Sequence, residues 1–274
     1  MKSSKTLELI IQILCISLAL LILFPIFYAV SVSFMEHREV LSKTPHLLPK
    51  NPTTGNYVTA FTRTTLGRYM LNSFLIAAVT SFFRLLFAAM AAYSFAFFEF
   101  RGKKILFALA MTTLMIPPDV LIVSNYATIS KLGLINTYTG ICSIFLVSAA
   151  NLFLVRQYFL SFASSIRDAA QIDGCGSFRF FTEILLPISK PILVTVFISS
   201  FVNVWNQYLW PLLVTNRNEM RTIQVGITML KDRESSIFGP VMAGVTIALI
   251  PTVLVFIVFQ RKIVSGMMSG AVKE

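Results

Sequence analysis

Three groups of residues in this chain have the types and spacing to do chemistry. Ser199, Asn203, Asn206 and Trp210 recur at i, i+4, i+7 and i+11, with Gln207 adjacent, inside an otherwise apolar run. On a continuous helix that spacing lines one face. Amides and an indole can hydrogen-bond to and stack on polyol or sugar hydroxyls; the same groups also serve as glue between helices in an apolar medium. Arg84 is the second feature, a lone guanidinium with Ala77, Thr80, Ala88 and Ala91 on its helical face. The third is a patterned polar stretch, SSIRDAAQIDGCGSFRFFTEILLPISKP, from Ser164 to Pro191.

Catalytic constellations are missing. The two histidines, His37 and His46, fall in one loop, and no Ser-His pair, paired Asp or metal-ligand spacing occurs in the apolar runs. There is no GxxxxGK[ST] phosphate loop. Cys15, Cys142 and Cys175 lie far apart with no CxxC, which points to neither a metal site nor a disulfide framework. An intramembrane enzyme, the remote alternative, lacks its parts.

The elements that must position these residues follow from composition. Of 274 residues 56% are hydrophobic and 13% charged, with a mean hydropathy of +0.76. So few charges cannot cover a water-soluble fold, so the solvent is lipid. A net charge of +11 is explained by basic loops meeting anionic headgroups and needs no nucleic acid. At roughly 20 apolar residues per crossing, six spans are expected: Leu9–Phe34, Leu71–Phe98, Ile105–Tyr126, Tyr138–Phe159, Pro191–Leu213 and Pro240–Phe259. The first has a signal-like start with Lys2 and Lys5 but too long an apolar run, and reads as a retained helix.

Arg84 then lies near mid-bilayer, at a cost of at least about 2.5 to 3.5 kcal/mol. It must face water or an anion. Either it attracts a phosphate-bearing substrate through its bidentate fork, or it pairs with an acidic residue of a neighbouring membrane subunit. Pro117 and Pro118 predict a kink in span three beside Asp119, a static bend or an element of a gate.

An even number of spans puts both termini on one side. Lys2, Lys5, the Arg101, Lys103, Lys104 cluster and Arg261, Lys262 share that side, which makes it cytoplasmic. On the other side, 35–68 carries Pro45, Pro49 and Pro52 and reads as a surface excursion. The stretch 215–239, with Lys231, Asp232, Arg233 and Glu234, is either a solvated loop or a contact for an external partner. The divisions are therefore 1–68 (first helix and outer loop), 69–260 (spans two to six, with the patterned loop at 164–191) and a cytoplasmic tail, 261–274.

The patterned loop reads as helix, turn, helix on the cytoplasmic side. Ser164 or Ser165 can cap its first helix, Asp168 is expected in the first turn where the macrodipole favours an anion, and Ala169, Ala170 and Ile172 give a small smooth face. Gly174 and Gly176 permit a reversal. Phe178, Phe181, Ile184 and Leu185 then repeat at helical spacing until Pro187 ends the second helix. A short exposed helix of this kind suits docking into another protein's groove.

At these residues the chain resembles the type I ABC importer permeases. Their EAA loop runs Glu-Ala-Ala, three residues, Gly, nine residues, Ile, one residue, Leu-Pro, and Asp168, Ala169, Ala170, Gly174, Ile184, Leu186 and Pro187 fit that spacing. Asp168 stands where the pattern has Glu, keeping the charge with a shorter reach. NSFLIA, AAYSFA, MIPP, LGLINTYTGI and QRKIVSGMMSGAVKE extend the likeness along the chain, to the carbohydrate importer subfamily that includes the maltose permeases. WNQYLWPLL and RQYF look most like the glycerol-3-phosphate permease subunits.

The resemblance implies an all-α integral membrane fold with a cytoplasmic EAA coupling loop. It implies a cell-membrane transport subunit, not an enzyme, that holds no cofactor while ATP is bound by a partner. The partners implied are a second homologous permease, two ATP-binding subunits and an extracytoplasmic solute-binding protein. Implied cargo is sn-glycerol 3-phosphate or a related glycerophosphodiester, with a neutral sugar or maltodextrin-like oligosaccharide as the alternative. Arg84, Ser199, Asn203, Asn206, Gln207 and Trp210 are the candidates for the translocation path.

Overall fold

The structure is a computed structural model that describes residues 5–42, 44–162, 164–231 and 238–268; the side chains of 6, 164, 165 and 261–268 lie outside the description. The expectations for Lys2, Asp232, Arg233, Glu234, the side chains of Arg261 and Lys262, and the serine caps at 164 and 165 fall outside the described residues. Every regular element among the described residues is helical. In lipid that is the expected solution, since a helix satisfies its backbone polar groups within one segment.

Three helices are long and apolar enough to cross a membrane unbroken. These are α1 (Lys5–Ser33), α3 (Leu66–Phe97) and the Gly239–Gln260 part of the last helix. Between α1 and α3 the expected surface excursion folds in part, into α2 (Gly55–Arg63). Three further crossings are bent pairs. α4 (Lys103–Thr112) and its short continuation to Met115 meet the Pro118–Lys131 segment, which contains α5 (Ile122–Lys131), at 94°. α6 (Tyr138–Cys142), extended to Phe145, meets α7 (Ala149–Leu160) at 51°. The Ser177–Ile188 segment, which follows α8 (Ser164–Ile172), meets α9 (Lys190–Trp205) at 78°. Counting each bent pair as one span gives six.

The first bend sits where Pro117 and Pro118 remove two amide donors, and Ile116 and Pro117 take extended dihedrals there. The second has no proline. Ser148 breaks the helix by leaving it for an extended conformation and capping α7 through the Asn151 amide, 3.3 Å away. The third corrects the expected end at Pro187. The helix passes through Pro187 to Ile188 and turns at Ser189, because Phe180–Leu185 winds as a π-helix whose wider turn accommodates the proline ring.

Two compact units emerge. One comprises residues 1–68 and 223–250. Within it Asn56 ties α2 to the end of α1, donating to the Ser33 and Met35 carbonyls at 2.9 and 2.8 Å, while the Tyr57 and Ser33 hydroxyls lie 2.8 Å apart. α11 (Ile223–Thr228), which follows α10 (Leu209–Val214), and the start of α12 (Gly239–Met268) complete this unit.

The other unit comprises 69–222 and 251–274. Its core joins Ala89 and Ala92 of α3, Leu152, Val155 and Phe159 of α7, Ala170 of α8, Phe180, Phe181 and Leu185 of the π segment, and Ile192 and Val196 of α9. At the far end of α3 the buried Asn72 amide donates to the Glu219 and Arg221 carbonyls at 2.8 and 2.9 Å and accepts from the Tyr138 hydroxyl at 2.9 Å. Asn72→Ala removes all three bonds and is expected to cost about 3 kcal/mol. That is a fall in Tm of about 6 to 12 °C for a chain of this size, read by thermal unfolding in detergent; an unchanged Tm would show the bonds to be incidental.

Candidate functional site

The patterned loop is clamped to the membrane helices by side chains that reach backbone carbonyls. Arg167 in α8 donates from Nη1 to the Phe97 carbonyl at 2.6 Å, with its guanidinium 5.6 Å from the Phe97 ring centroid. Tyr93 in α3 donates to the Ser177 carbonyl at 2.8 Å; outside the loop, Arg156 in α7 ties span four to span two by donating from Nε to the Phe95 carbonyl at 3.2 Å while lying over the Phe107 ring. Around these bonds the rings of Tyr93 and Phe181 are 4.9 Å apart, Tyr93 and Phe97 5.5 Å, and Phe97 and Phe180 5.7 Å. Such ring pairs contribute about 0.5 to 1.5 kcal/mol each beyond their burial. The loop is thus a rigid extension of spans two and four.

Gly174 takes φ +73°, the left-handed conformation that ends α8, and the Cys175 amide returns to the Ala170 carbonyl at 2.8 Å. The reversal leaves two apolar side chains in solvent at its tip, Ile172 at 86% exposure and Phe178 at 79%. Asp168, Ala169, Gln171 and Asp173 are exposed beside them. Three expectations change. α8 starts at Ser164, so Asp168 lies one turn inside the helix and not in its first turn. Ala170 is buried in the core and leaves the smooth face to Ala169 and Ile172. Phe178 points away from the inward face held by Phe181 and Leu185, with Ile184 half-buried between them.

Leu186 is half-buried and Pro187 exposed just before the turn at Ser189. Arg179 and Glu183 pair at the exposed surface of the loop at 2.7 Å, one turn apart. At the nearby turn between α3 and α4, Lys103 bonds Glu99 at 2.9 Å and holds its carboxyl below the usual carboxylate range.

The stripe on span five is only partly continuous. α9 stops at Trp205, residues 206–208 belong to no helix, with Asn206 off helical dihedrals, and the chain restarts in α10. Ser199, Asn203 and Asn206 remain exposed at helical spacing, with Gln207 half-buried beyond them. The break takes Trp210 off that face. It is buried, and its indole N–H is shared between the Gly140 and Ile141 carbonyls at 3.3 and 3.2 Å, so its polar atom is spent on holding α6. Arg84 and the stripe come together: Nη1 of Arg84 donates to Oδ1 of Asn203 at 3.5 Å.

Residue-by-residue reading missed Tyr93, Arg156, Arg167 and Asn136 as functional positions. Asn136, just before α6, takes a left-handed conformation (φ 59°), its Oδ1 accepting from the Asn216 and Arg217 amides at 2.6 and 3.0 Å. Tyr93 lies in AAYSFA, Arg156 in RQYF and Asn136 in LGLINTYTGI, segments that carried the resemblance, so the signal was present without its mechanism.

Residues 84–269 match the family model described as the binding-protein-dependent transport system inner membrane component. The chain is 35% identical over 257 residues to the sn-glycerol-3-phosphate transport system permease protein UgpE of Brucella abortus (strain 2308), covering 90% of this chain and 91% of that protein. It is 32% identical over 275 residues to the arabinooligosaccharides transport system permease protein AraQ of Halalkalibacterium halodurans, covering 99% of both. Its fold superposes with a TM-score of 0.82, at 23% identity, on a chain of a bacterial ABC transporter involved in import of the acidic polysaccharide alginate, covering 95% of this chain and 98% of that one. The chain therefore belongs to the inner membrane component family of binding-protein-dependent transport systems, as a multi-pass permease subunit of an ABC importer and a transport component rather than an enzyme.

Proposed function

We propose that this permease carries sn-glycerol 3-phosphate or a related glycerophosphodiester inward, driven by ATP hydrolysed on a separate subunit docked at the Ser164–Pro191 loop. The observation that carries the coupling half of this reading is the exposed Ile172 and Phe178 tip on a loop clamped by Arg167 and Tyr93. An apolar tip ringed by Asp168 and Asp173 fits a groove with an apolar floor and basic rim. A displacement of that tip passes to span two through the clamps and to span five through the turn at Ser189, and so reaches the face that carries Asn203.

Both termini lie on the cytoplasmic side, and the assembly contains a second homologous permease, two ATP-binding subunits and an extracytoplasmic solute-binding protein. Support for the phosphate ester comes from the UgpE relatives together with an uncompensated Arg84 beside Asn203. The AraQ relatives support the second reading, a neutral oligosaccharide.

Uptake of labelled sn-glycerol 3-phosphate and of an arabino-oligosaccharide by cells expressing the complete transporter separates the two. The expected result is saturable, ATP-dependent accumulation of the phosphate ester. Accumulation of the oligosaccharide alone would keep the importer and overturn the substrate.

A further inference from the structure

The geometry points to Arg84 and Asn203 as the specificity-determining pair of the pore, the place where the anionic group of the solute is recognised between spans two and five. This rests on the reading of the chain as the importer of an anionic polyol ester. Arg84 lies eighteen residues after the start of α3 and thirteen before its end, about 27 Å and about 20 Å along the helix axis. Neither its own side chain nor a lipid headgroup bridges that distance.

No carboxylate among the described residues lies within ion-pair distance of it. Among the described residues its hydrogen-bond partner is Asn203, at 3.5 Å, far longer than the roughly 2.7 to 2.9 Å of a well-made charged hydrogen bond to a carboxylate. Nε is buried with no acceptor. The terminal Nη groups beside Asn203 are left as the side of the fork that an incoming anion can meet.

The neighbours of Arg84 on its helical face are small, Ala77 and Ala88 buried and Ala91 half-buried. Ser199 and Asn206, exposed one turn to either side of Asn203, place hydroxyl and amide groups along the same line. With Oδ1 turned to Arg84, the Asn203 Nδ2 is a second donor. A donor-rich point with a fixed positive charge and no carboxylate matches a group that presents several oxygens and a negative charge, a phosphate monoester or diester, and disfavours a neutral sugar.

The test uses the complete transporter with its binding protein in proteoliposomes, with sn-glycerol 3-phosphate as the probe. Arg84→Gln is expected to lower uptake kcat/KM by about 10- to 100-fold, the range for losing a hydrogen bond to a charged group, with Arg84→Lys retaining more than Arg84→Gln. Asn203→Asp supplies an internal carboxylate within reach of the guanidinium and is expected to cause a loss of the same order while the subunits still copurify. Uptake by Arg84→Gln within about twofold of wild type, inside ordinary surface-mutation scatter, overturns the assignment. So does an Arg84→Gln chain that no longer copurifies with the second permease while Asn203→Asp transports normally, because that pattern belongs to an ion pair between subunits. Failure of the parent reading looks different: the wild-type transporter itself takes up no sn-glycerol 3-phosphate.

Discussion

Ile172→Asp is expected to lower transport by about 100-fold, the scale of truncating a central apolar anchor at a protein interface, while the chain folds and inserts as before. Ile172 is 86% exposed, so nothing inside the chain depends on its side chain and the loss must arise where another subunit covers it. Phe178, 79% exposed on the other side of the Gly174 reversal, should behave in the same way, and the two losses should not add if both anchors enter one groove. Copurification of the ATP-binding subunits and solute-stimulated ATP hydrolysis are the readouts. Transport by Ile172→Asp and Phe178→Asp within about threefold of wild type, under 1 kcal/mol, would remove this tip from the coupling surface.

Gly140→Ala should be the most damaging of the small substitutions. A Cβ at Gly140 would collide with the Leu134 carbonyl oxygen, and would lie 3.1 Å from the Leu134 carbonyl carbon and 3.3 Å from the Ile129 side chain. A backbone carbonyl has no rotamer with which to retreat, so α6 must move. That shift also pulls the Gly140 and Ile141 carbonyls from the Trp210 indole. Overpacking and a strained buried hydrogen bond together amount to about 4 kcal/mol. The measurement is thermal unfolding in detergent, with Gly67→Ala as the comparison because a Cβ at Gly67 meets nothing within 4 Å. Equal melting temperatures for the two variants would show that α6 yields freely.

How much of this was legible in the sequence depends on the range of the forces involved. The spans follow from composition over windows of roughly 20 residues, where hydropathy sums reliably. The kink at Pro117 and Pro118 follows from local covalent chemistry. The bend at Ser148 has no such mark, for it closes a cap that many serines could close. The turn at Ser189 does carry one, since it lies between Pro187 and Pro191, while the π segment before it packs Phe180, Phe181 and Leu185 into the core. Trp210 misled because periodicity presumes an unbroken helix, whereas the chain leaves the helix after Trp205 and restarts at Leu209, two residues before Pro211. Asp168, Ala169 and Ala170 were found as a motif, but the inward turn of Ala170 belongs to the core.

The two clamps on the loop share one property: Arg167 and Tyr93 each donate to a main-chain oxygen, of Phe97 and Ser177. A main-chain acceptor is supplied by any residue. The accepting positions are therefore free to change without loosening the loop, whereas the two donors are not. Hybrid permeases that graft a foreign loop onto these helices need to match the donors alone, so a loop can change its ATPase allegiance while its mounting stays in place.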